Sequence, residues 1–335
     1  MRIGVDAMGG DYAPAEIVRG ACAARDVLDA GDQIILAGRE DLIRPHLEGC
    51  PDWPSFIRIA HSPEAIDMDE PPVEAVRAKP NSSIAALARM HKQQEVDAIV
   101  SAGNTGACVA AWQMYLRRLP GVHRPGIAVL MPTFHDPVVL CDVGANVDCR
   151  PQHLFQYAIM ASIYVKHVGG VASPRVGLLS IGSEDAKGNA LVKKTRDLLK
   201  RHPGMRFVGN VEGRDLLRNV CDVIVCEGFV GNVCLKLMEG LAEGLFKGLT
   251  ALLGQADPAV VSQAGQLFRS ILGRYDYSEH GGAPLLGVNG ICIISHGSSK
   301  ARAIRSAVRK ARQCATQGVN ELITTELSQF AGNVG

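Results

Sequence analysis

Short, near-continuous apolar runs recur along this chain, and many of them stop at a polar, glycine-bearing turn. Runs at residues 3–6, 33–37, 56–60, 97–101 and 126–131 read as buried strands, as do 138–142, 175–181, 206–209, 222–226 and 291–295. Strands covered on both faces keep such unbroken apolar character, whereas half-exposed strands alternate. Helical patterns lie between many of them, at residues 15–30, 82–94, 105–116, 151–168, 189–201, 232–253 and from 299 to 316 or beyond. This alternation predicts an α/β fold of three layers with a largely parallel central sheet, built by residues 1–335 as a single domain. In such sheets, ligands sit where the carboxyl ends of the strands open into a crevice.

Two regions break the rhythm. Residues 44–54 and 62–81 are rich in proline and charge and read as surface loops, the second placed as a lid near the crevice. Residues 233–275 carry no strand signal. Leu235, Met238, Leu241, Ala242, Leu245, Phe246, Leu249, Leu252 and Leu253 form a broad apolar stripe, with Lys236, Glu239, Glu243 and Lys247 opposite. Gly240, Gly244 and Gly248 recur every four residues there. Each costs about 1 kcal/mol relative to Ala, which points to close approach of another helix. With a second helix over 260–272, the segment reads either as a projecting, dimerising hairpin or as two helices laid on the sheet.

Composition narrows the classes. A formal charge of +1 argues against a general nucleic-acid binder. Aromatics at 5% and 36 glycines describe an aliphatic, tightly turned interior. The start, Met1-Arg2-Ile3-Gly4-Val5-Asp6, enters a strand pattern directly, and no uninterrupted apolar stretch of about eighteen residues occurs. A cytoplasmic protein, at most peripheral to a membrane, is expected. The 10 cysteines include no CxxC pair and no zinc spacing, so buried reduced thiols are expected.

The chemistry lies in the turns. Those at Asp6-Ala7-Met8-Gly9-Gly10-Asp11, Ser101-Ala102-Gly103-Asn104-Thr105-Gly106 and Asp142-Val143-Gly144-Ala145-Asn146-Val147-Asp148 share one form. So do residues 181–189 (with Glu184 and Lys187), Glu227-Gly228-Phe229-Val230-Gly231-Asn232 leading to Lys236, and His296-Gly297-Ser298-Ser299-Lys300. One such turn is ordinary. Several at strand ends describe a shared crevice holding small donors, carboxylates and the cations Lys187, Lys236 and His296. The turn opening at Ser101 runs into a helix, and helix N-termini attract anions through free N–H groups and the dipole. GxGxxG, the Walker pattern and the GxSxG elbow are all absent. Asp142, Asn146 and Asp148 suit either a divalent metal or capping hydrogen bonds; His296 suits either acid/base work or a hydrogen-bonded core.

Taken in order, the turns resemble those of the bacterial phosphate acyltransferase family (PlsX type). The residues that carry this are Asp6-Ala7-Met8-Gly9-Gly10-Asp11 with Ala13-Pro14, Ser101-Ala102-Gly103-Asn104-Thr105-Gly106-Ala107, and Arg124-Pro125-Gly126-Ile127-Ala128. Asp142-Val143-Gly144-Ala145-Asn146-Val147-Asp148-Cys149, Gly209-Asn210-Val211-Glu212-Gly213 and Gly281-Gly282-Ala283-Pro284-Leu285-Leu286-Gly287 complete the set, over about residues 1–315. Glu227 stands where the family usually has aspartate, and Ser180 and Ser183 where it commonly has Asn and Glu.

The resemblance implies an enzyme moving a long-chain acyl group from acyl carrier protein to inorganic phosphate. The acyl phosphate would feed a glycerol-3-phosphate acyltransferase in phospholipid synthesis. It also implies a fold related to isocitrate/isopropylmalate dehydrogenases and phosphotransacetylases, a homodimer, and loose peripheral membrane association. The 233–275 hairpin would then serve the dimer, the carrier protein, the acyl chain or the membrane.

On that chemistry, Ser101, Gly103, Asn104 and Thr105 with the turn's backbone N–H groups are expected to bind phosphate, helped by Lys187 or Lys236. His296 or Asn232 would donate to the oxyanion. Asp6, Asp11, Asp142, Asn146, Asp148, Glu227 and Ser298 would orient the crevice, with no metal or cofactor. Two other classes compete. A nicotinamide-dependent β-decarboxylating dehydrogenase of the same fold would need an acid cluster and substrate arginines in the crevice. A scaffold that only sequesters acyl carrier protein leaves the polar turns unexplained.

Overall fold

A computed structural model describes residues 1–133, 135–253 and 281–332. The first half of the chain forms β1 (Arg2–Asp6), α1 (Ala15–Ala23), β2 (Gln33–Gly38), α2 (Glu40–Leu47), β3 (Ile57–His61), α3 (Pro72–Ala78), α4 (Ser83–Lys92), β4 (Ala98–Ser101) and α5 (Thr105–Leu116). Then come β5 (Gly126–Met131), β6 (Val138–Cys141), α6 (Pro151–His167), β7 (Arg175–Leu179), α7 (Ala190–Arg201), β8 (Arg206–Val211), β9 (Val223–Val225) and α8 (Gly228–Leu253). The chain closes with β10 (Ala283–Leu286), β11 (Cys292–Ile294), α9 (Ala301–Thr316) and α10 (Val319–Gly332).

All the strands join one sheet in the order β3-β2-β1-β4-β11-β10-β5-β6-β9-β7-β8. The apolar runs are continuous because neighbouring residues serve opposite faces. Ile34 and Leu36 enter one core cluster with Ile17, Tyr157 and Ile304; Ile35 and Ala37 enter the other with Leu87, Trp112 and Ile84. Helices therefore cover both faces, as the three-layer expectation requires. All ten cysteines are free thiols, most of them buried.

The sheet is mostly parallel, with three consecutive antiparallel pairings in its middle. β3, β2, β1, β4 and β11 run parallel, and so do β6, β9, β7 and β8. β10 and β5 join the two blocks through antiparallel pairings, and β5–β6 is antiparallel as well. The second block thus runs opposite to the first. Strand direction is set by how each connection crosses the sheet, which apolar runs do not encode.

Other differences are local. β10 falls within the Gly281–Gly287 motif, where Pro284 and only four residues give no strand signal. Residues 44–54 and 62–81 contain the end of α2 and the whole of α3, which bury only Ile43 and Leu47, and Ala75 and Val76. Pro72 at the start of α3 suits the first helical turn, where no N–H is needed. The 15–30 helix stops at Ala23 and continues as a 3-10 turn over Ala24–Val27. The final helix divides at Gly318, whose φ of +60° ends α9 before α10.

α8 stands apart. Leu237, Leu241, Leu245, Leu249 and Leu252 are exposed along it, and a Cβ added to Gly240, Gly244 or Gly248 would meet nothing within 4 Å. No described helix approaches those glycines, contrary to the packing reading of their spacing. The second arm of the hairpin, at 260–272, lies outside the described residues. Among the described residues, no helix is long and apolar enough to cross a membrane.

Candidate active site

The first group of turns is assembled by the neighbouring parallel strands β1, β4 and β11. Register places Val5 beside Val100, so Asp6 and Ser101 leave the sheet together. Ser101 Oγ donates to Asp6 Oδ2 at 2.6 Å and accepts from the Gly103 N–H at 3.0 Å. Asp6 also accepts the Met8 N–H at 3.1 Å. Burial raises the Asp6 pKa, and the hydrogen bond from Ser101 is the largest effect opposing it. Gly9 and Gly103 interleave: a Cβ on Gly9 would fall 2.6 Å from the Gly103 nitrogen and 2.4 Å from Asp6 Oδ2. Only glycine allows the two turns to touch. The third turn docks through the Asp11 N–H, which donates to the Gly297 carbonyl at 2.8 Å, and the Ser295 N–H, which donates to that of Ser101 at 2.8 Å.

Asn104 caps α5, accepting the Ala107 N–H at 3.0 Å, while its amide donates to the carbonyls of Met68 at 3.1 Å and Glu70 at 3.0 Å. Its side chain is thus occupied within the protein, and no donor remains for phosphate. The 62–81 segment is pinned here, with Met68 also lying against Gly297. Thr105 is exposed at the first position of α5, where the leading N–H groups have no intrahelical partner.

The second group is built on Asp142, at the end of β6. Its Oδ1 accepts N–H groups from Ile127 at 3.0 Å, Gly144 at 3.2 Å and Ala145 at 3.0 Å; its Oδ2 accepts the Asn146 N–H at 2.8 Å. Burial raises its pKa against these bonds. With its oxygens so filled, Asp142 orders the turn and has little left to offer a metal. Asn146 donates to the Pro125 carbonyl at 2.6 Å and the Tyr157 hydroxyl at 2.9 Å, and its own carbonyl accepts the Gly228 N–H at 2.8 Å. That seats the N-terminus of α8 on the turn. Glu227 Oε2 accepts the Val230 N–H at 2.8 Å, a helix cap that places this longer acid. Asn232 is exposed beside Gly144, whose added Cβ would lie 3.8 Å from Asn232 Oδ1.

The groups meet through α8. Lys236 Nζ lies 3.2 Å from His296 Nε2 and 3.0 Å from Glu239 Oε2. On the other side of the ring, His296 Nδ1 lies 2.7 Å from Ser298 Oγ and accepts the Ser298 N–H at 3.2 Å. The contact joins a lysine and a histidine from opposite sheet blocks.

Not every expected residue joins. Lys187 is exposed and lies against Gly182 of its own turn, whose Asp185 pairs with Lys200 at 2.5 Å. Asp11 and Asp148 are exposed, and no hydrogen bond involves their carboxylates among the described residues. No group of three His, Cys, Asp or Glu side chains suited to a metal occurs among those residues. Tyr157 and Glu239 join these groups through Asn146 and Lys236. The i,i+3 spacing of Glu239 from Lys236 signals the second; Tyr157 sits inside an apolar helix pattern that hides it.

A family model described as "Fatty acid synthesis protein" matches residues 1–322. The "Phosphate acyltransferase" of Desulfitobacterium hafniense is 48% identical over 336 residues, covering 98% of this chain and 98% of its own. That of Dictyoglomus turgidum is 43% identical over 335 residues, with 98% of each chain covered. A phosphotransacetylase from Streptococcus pyogenes superposes with a TM-score of 0.61 at 18% identity, over 95% of this chain and 94% of that one. A branched-chain phosphotransacylase from Enterococcus faecalis gives 0.56 at 14% identity, over 93% and 98%. At these identities the structural likeness speaks to the fold.

Proposed function

The chain belongs to the phosphate acyltransferase family, whose reaction places an acyl group on phosphate, and from that premise we propose acyl carrier protein as the donor and phospholipid synthesis as the destination. The observation that carries the site assignment is the Lys236–His296 contact, which joins α8 to the turn that follows β11.

A thioester is already activated, and its thiolate leaves readily because a thiol pKa is about 8.5. An oxygen of hydrogenphosphate attacks the carbonyl; the new C–O bond forms, the C–S bond breaks, and the departing thiolate takes the proton that the phosphate gives up. Phosphate needs little base catalysis. The protein's work is to hold it in line, stabilise the oxyanion and exclude water. Lys236 supplies charge to the phosphate, with the leading N–H groups of α5 and the Thr105 hydroxyl. Ser101 and Gly103 hold that turn in shape through Asp6. In this reading Asn232 donates to the oxyanion and His296 relays that proton. Lys187, in its separate exposed turn, is the weaker cation candidate.

The test measures release of free carrier protein from its acyl thioester with and without phosphate. Lys236→Met is expected to raise the KM for phosphate about tenfold or more, the effect of removing one charge-assisted contact, while Lys187→Met does not. Phosphate-independent release by the wild type would sink the functional reading. An unchanged phosphate KM in Lys236→Met would sink the site assignment alone.

A homodimer and peripheral membrane contact belong to the same reading, as does delivery to a glycerol-3-phosphate acyltransferase. Their support is the exposed leucine face of α8. Leu241→Glu with Leu245→Glu, examined by sedimentation and by flotation with liposomes, separates a dimer contact from a membrane contact.

A further inference from the structure

A second charged feature lies beside the crevice. No Asp or Glu occurs between Asp97 and Asp136, nor between Asp148 and Glu184. The fold gathers basic residues from these two acid-free stretches: Arg118, His123 and Arg124 from the connection between α5 and β5, and Arg150 and His153 at the start of α6. Arg118 Nη1 donates to the His123 carbonyl. The His123 and His153 rings meet edge to face with centroids 6.1 Å apart, and the Arg150 N–H donates to His153 Nδ1 at 3.1 Å. The three arginines are exposed, and none forms an ion pair among the described residues, Asp148 included. Burial of His153, then the positive charges of His123, Arg124, Arg150 and Arg118 around it, lower its pKa. The N-terminal end of α6 adds its partial positive charge to the same face.

This face borders the site. Pro125, next to Arg124, accepts from Asn146, and Asn146 in turn accepts the first N–H of α8, the helix that carries Asn232 and Lys236. A chain of net charge +1 thus gathers around His153 three arginines that have no ion-pair partner among the described residues. Arginine forks match carboxylates in bidentate geometry, and clustered charge of one sign steers an oppositely charged partner.

We propose that this basic face docks an acidic protein surface, that of the carrier delivering the acyl group. The inference rests on the reading of a protein-borne donor. It adds which face the donor meets and what chemistry that donor must present. Docked there, the carrier stands beside the turn that seats α8, so a flexible thioester arm has only to cross that turn.

The test uses the full-length enzyme with Arg118→Glu, Arg124→Glu and Arg150→Glu, singly and together. Acyl-phosphate formation is followed with the carrier-protein thioester and with a small-molecule thioester of the same acyl group, at low and at physiological salt. In the triple variant the KM for the carrier thioester is expected to rise at least about tenfold, since complementary charge acts mainly on encounter. The wild-type KM for the carrier should climb with salt, and the variant's should not. Activity with the small thioester and the KM for phosphate should stay at wild-type values, which shows that the site is intact.

Equal losses with both thioesters would overturn the proposal, as would an unchanged carrier KM and salt slope. So would a loss confined to binding of phosphatidylglycerol vesicles, which would make the face a membrane contact. The wild type judges the donor reading separately: if it turns over the small thioester but not the carrier thioester, that reading falls first.

Discussion

Two glycines of one helix should respond to the same substitution with opposite signs. A Cβ at Gly231 would stand 1.9 Å from the carbonyl oxygen of Asp142 and 3.0 Å from Cys226 Sγ, whereas one at Gly240 would meet nothing within 4 Å. Neither wall at Gly231 can yield easily. The Asp142 backbone is held by its N–H bond to the Cys226 carbonyl at 3.0 Å, and the Cys226 N–H returns to Cys141 at 2.9 Å. Gly231→Ala must therefore lift the start of α8 by more than about 1 Å, at an overpacking cost of 1–3 kcal/mol. The gain of about 1 kcal/mol in helix propensity offsets part of this. The lift carries Asn232 and Lys236 with it, and a misplacement of that size costs about 10²-fold in rate. Gly240→Ala should instead stabilise by roughly 0.5–1 kcal/mol and leave turnover alone. Urea unfolding gives the stabilities, and phosphate-dependent release of free carrier protein gives kcat. A Gly231→Ala enzyme with unchanged turnover, and stability within about 0.5 kcal/mol of the wild type, would refute the reasoning.

Three further outcomes follow from the same geometry. Asp142→Asn keeps one acceptor oxygen and turns an NH₂ towards the N–H groups of Asn146; losing charge-assisted bonds in a buried site should cost about 3 kcal/mol or more, and a loss under about 1 kcal/mol in urea unfolding would contradict the role given to this carboxylate. Asn104→Ala frees the 62–81 segment from the N-terminus of α5, so limited proteolysis should cut there faster than in the wild type; an unchanged cleavage pattern would show that other contacts hold it. Lys310 is buried with its Nζ 3.0 Å from the Tyr164 hydroxyl, and burial lowers its pKa to about 8 from 10.5. The unfolded chain then binds the extra proton between those values, so this group's contribution to stability rises with pH across that window. Lys310→Met should flatten that rise, and identical pH slopes for the two proteins would show that the native lysine titrates normally.

Much of the architecture is legible in the sequence because burial on both faces of a sheet leaves unbroken apolar runs, and because turns at strand ends need Gly, Asn and Asp. Ile34 to Ala37 send side chains alternately to two cores, so no polar position interrupts them. The polar turns, and the family they resemble, followed from residues close together in the chain. Tertiary structure alone decided what those turns do to one another. The reversal between the two sheet blocks depends on how connections cross, and β10 is too short to signal itself. Asn104 looked like a phosphate donor until the Met68 and Glu70 carbonyls, more than thirty residues away, took its amide. Lys236 and His296 are sixty residues apart and belong to different blocks, yet stand 3.2 Å from each other. Local pattern fixes which residues are available, because backbone conformation and burial act over a few residues. Which of them meet is a long-range matter, set by strand order, helix placement and the glycines that let backbones touch.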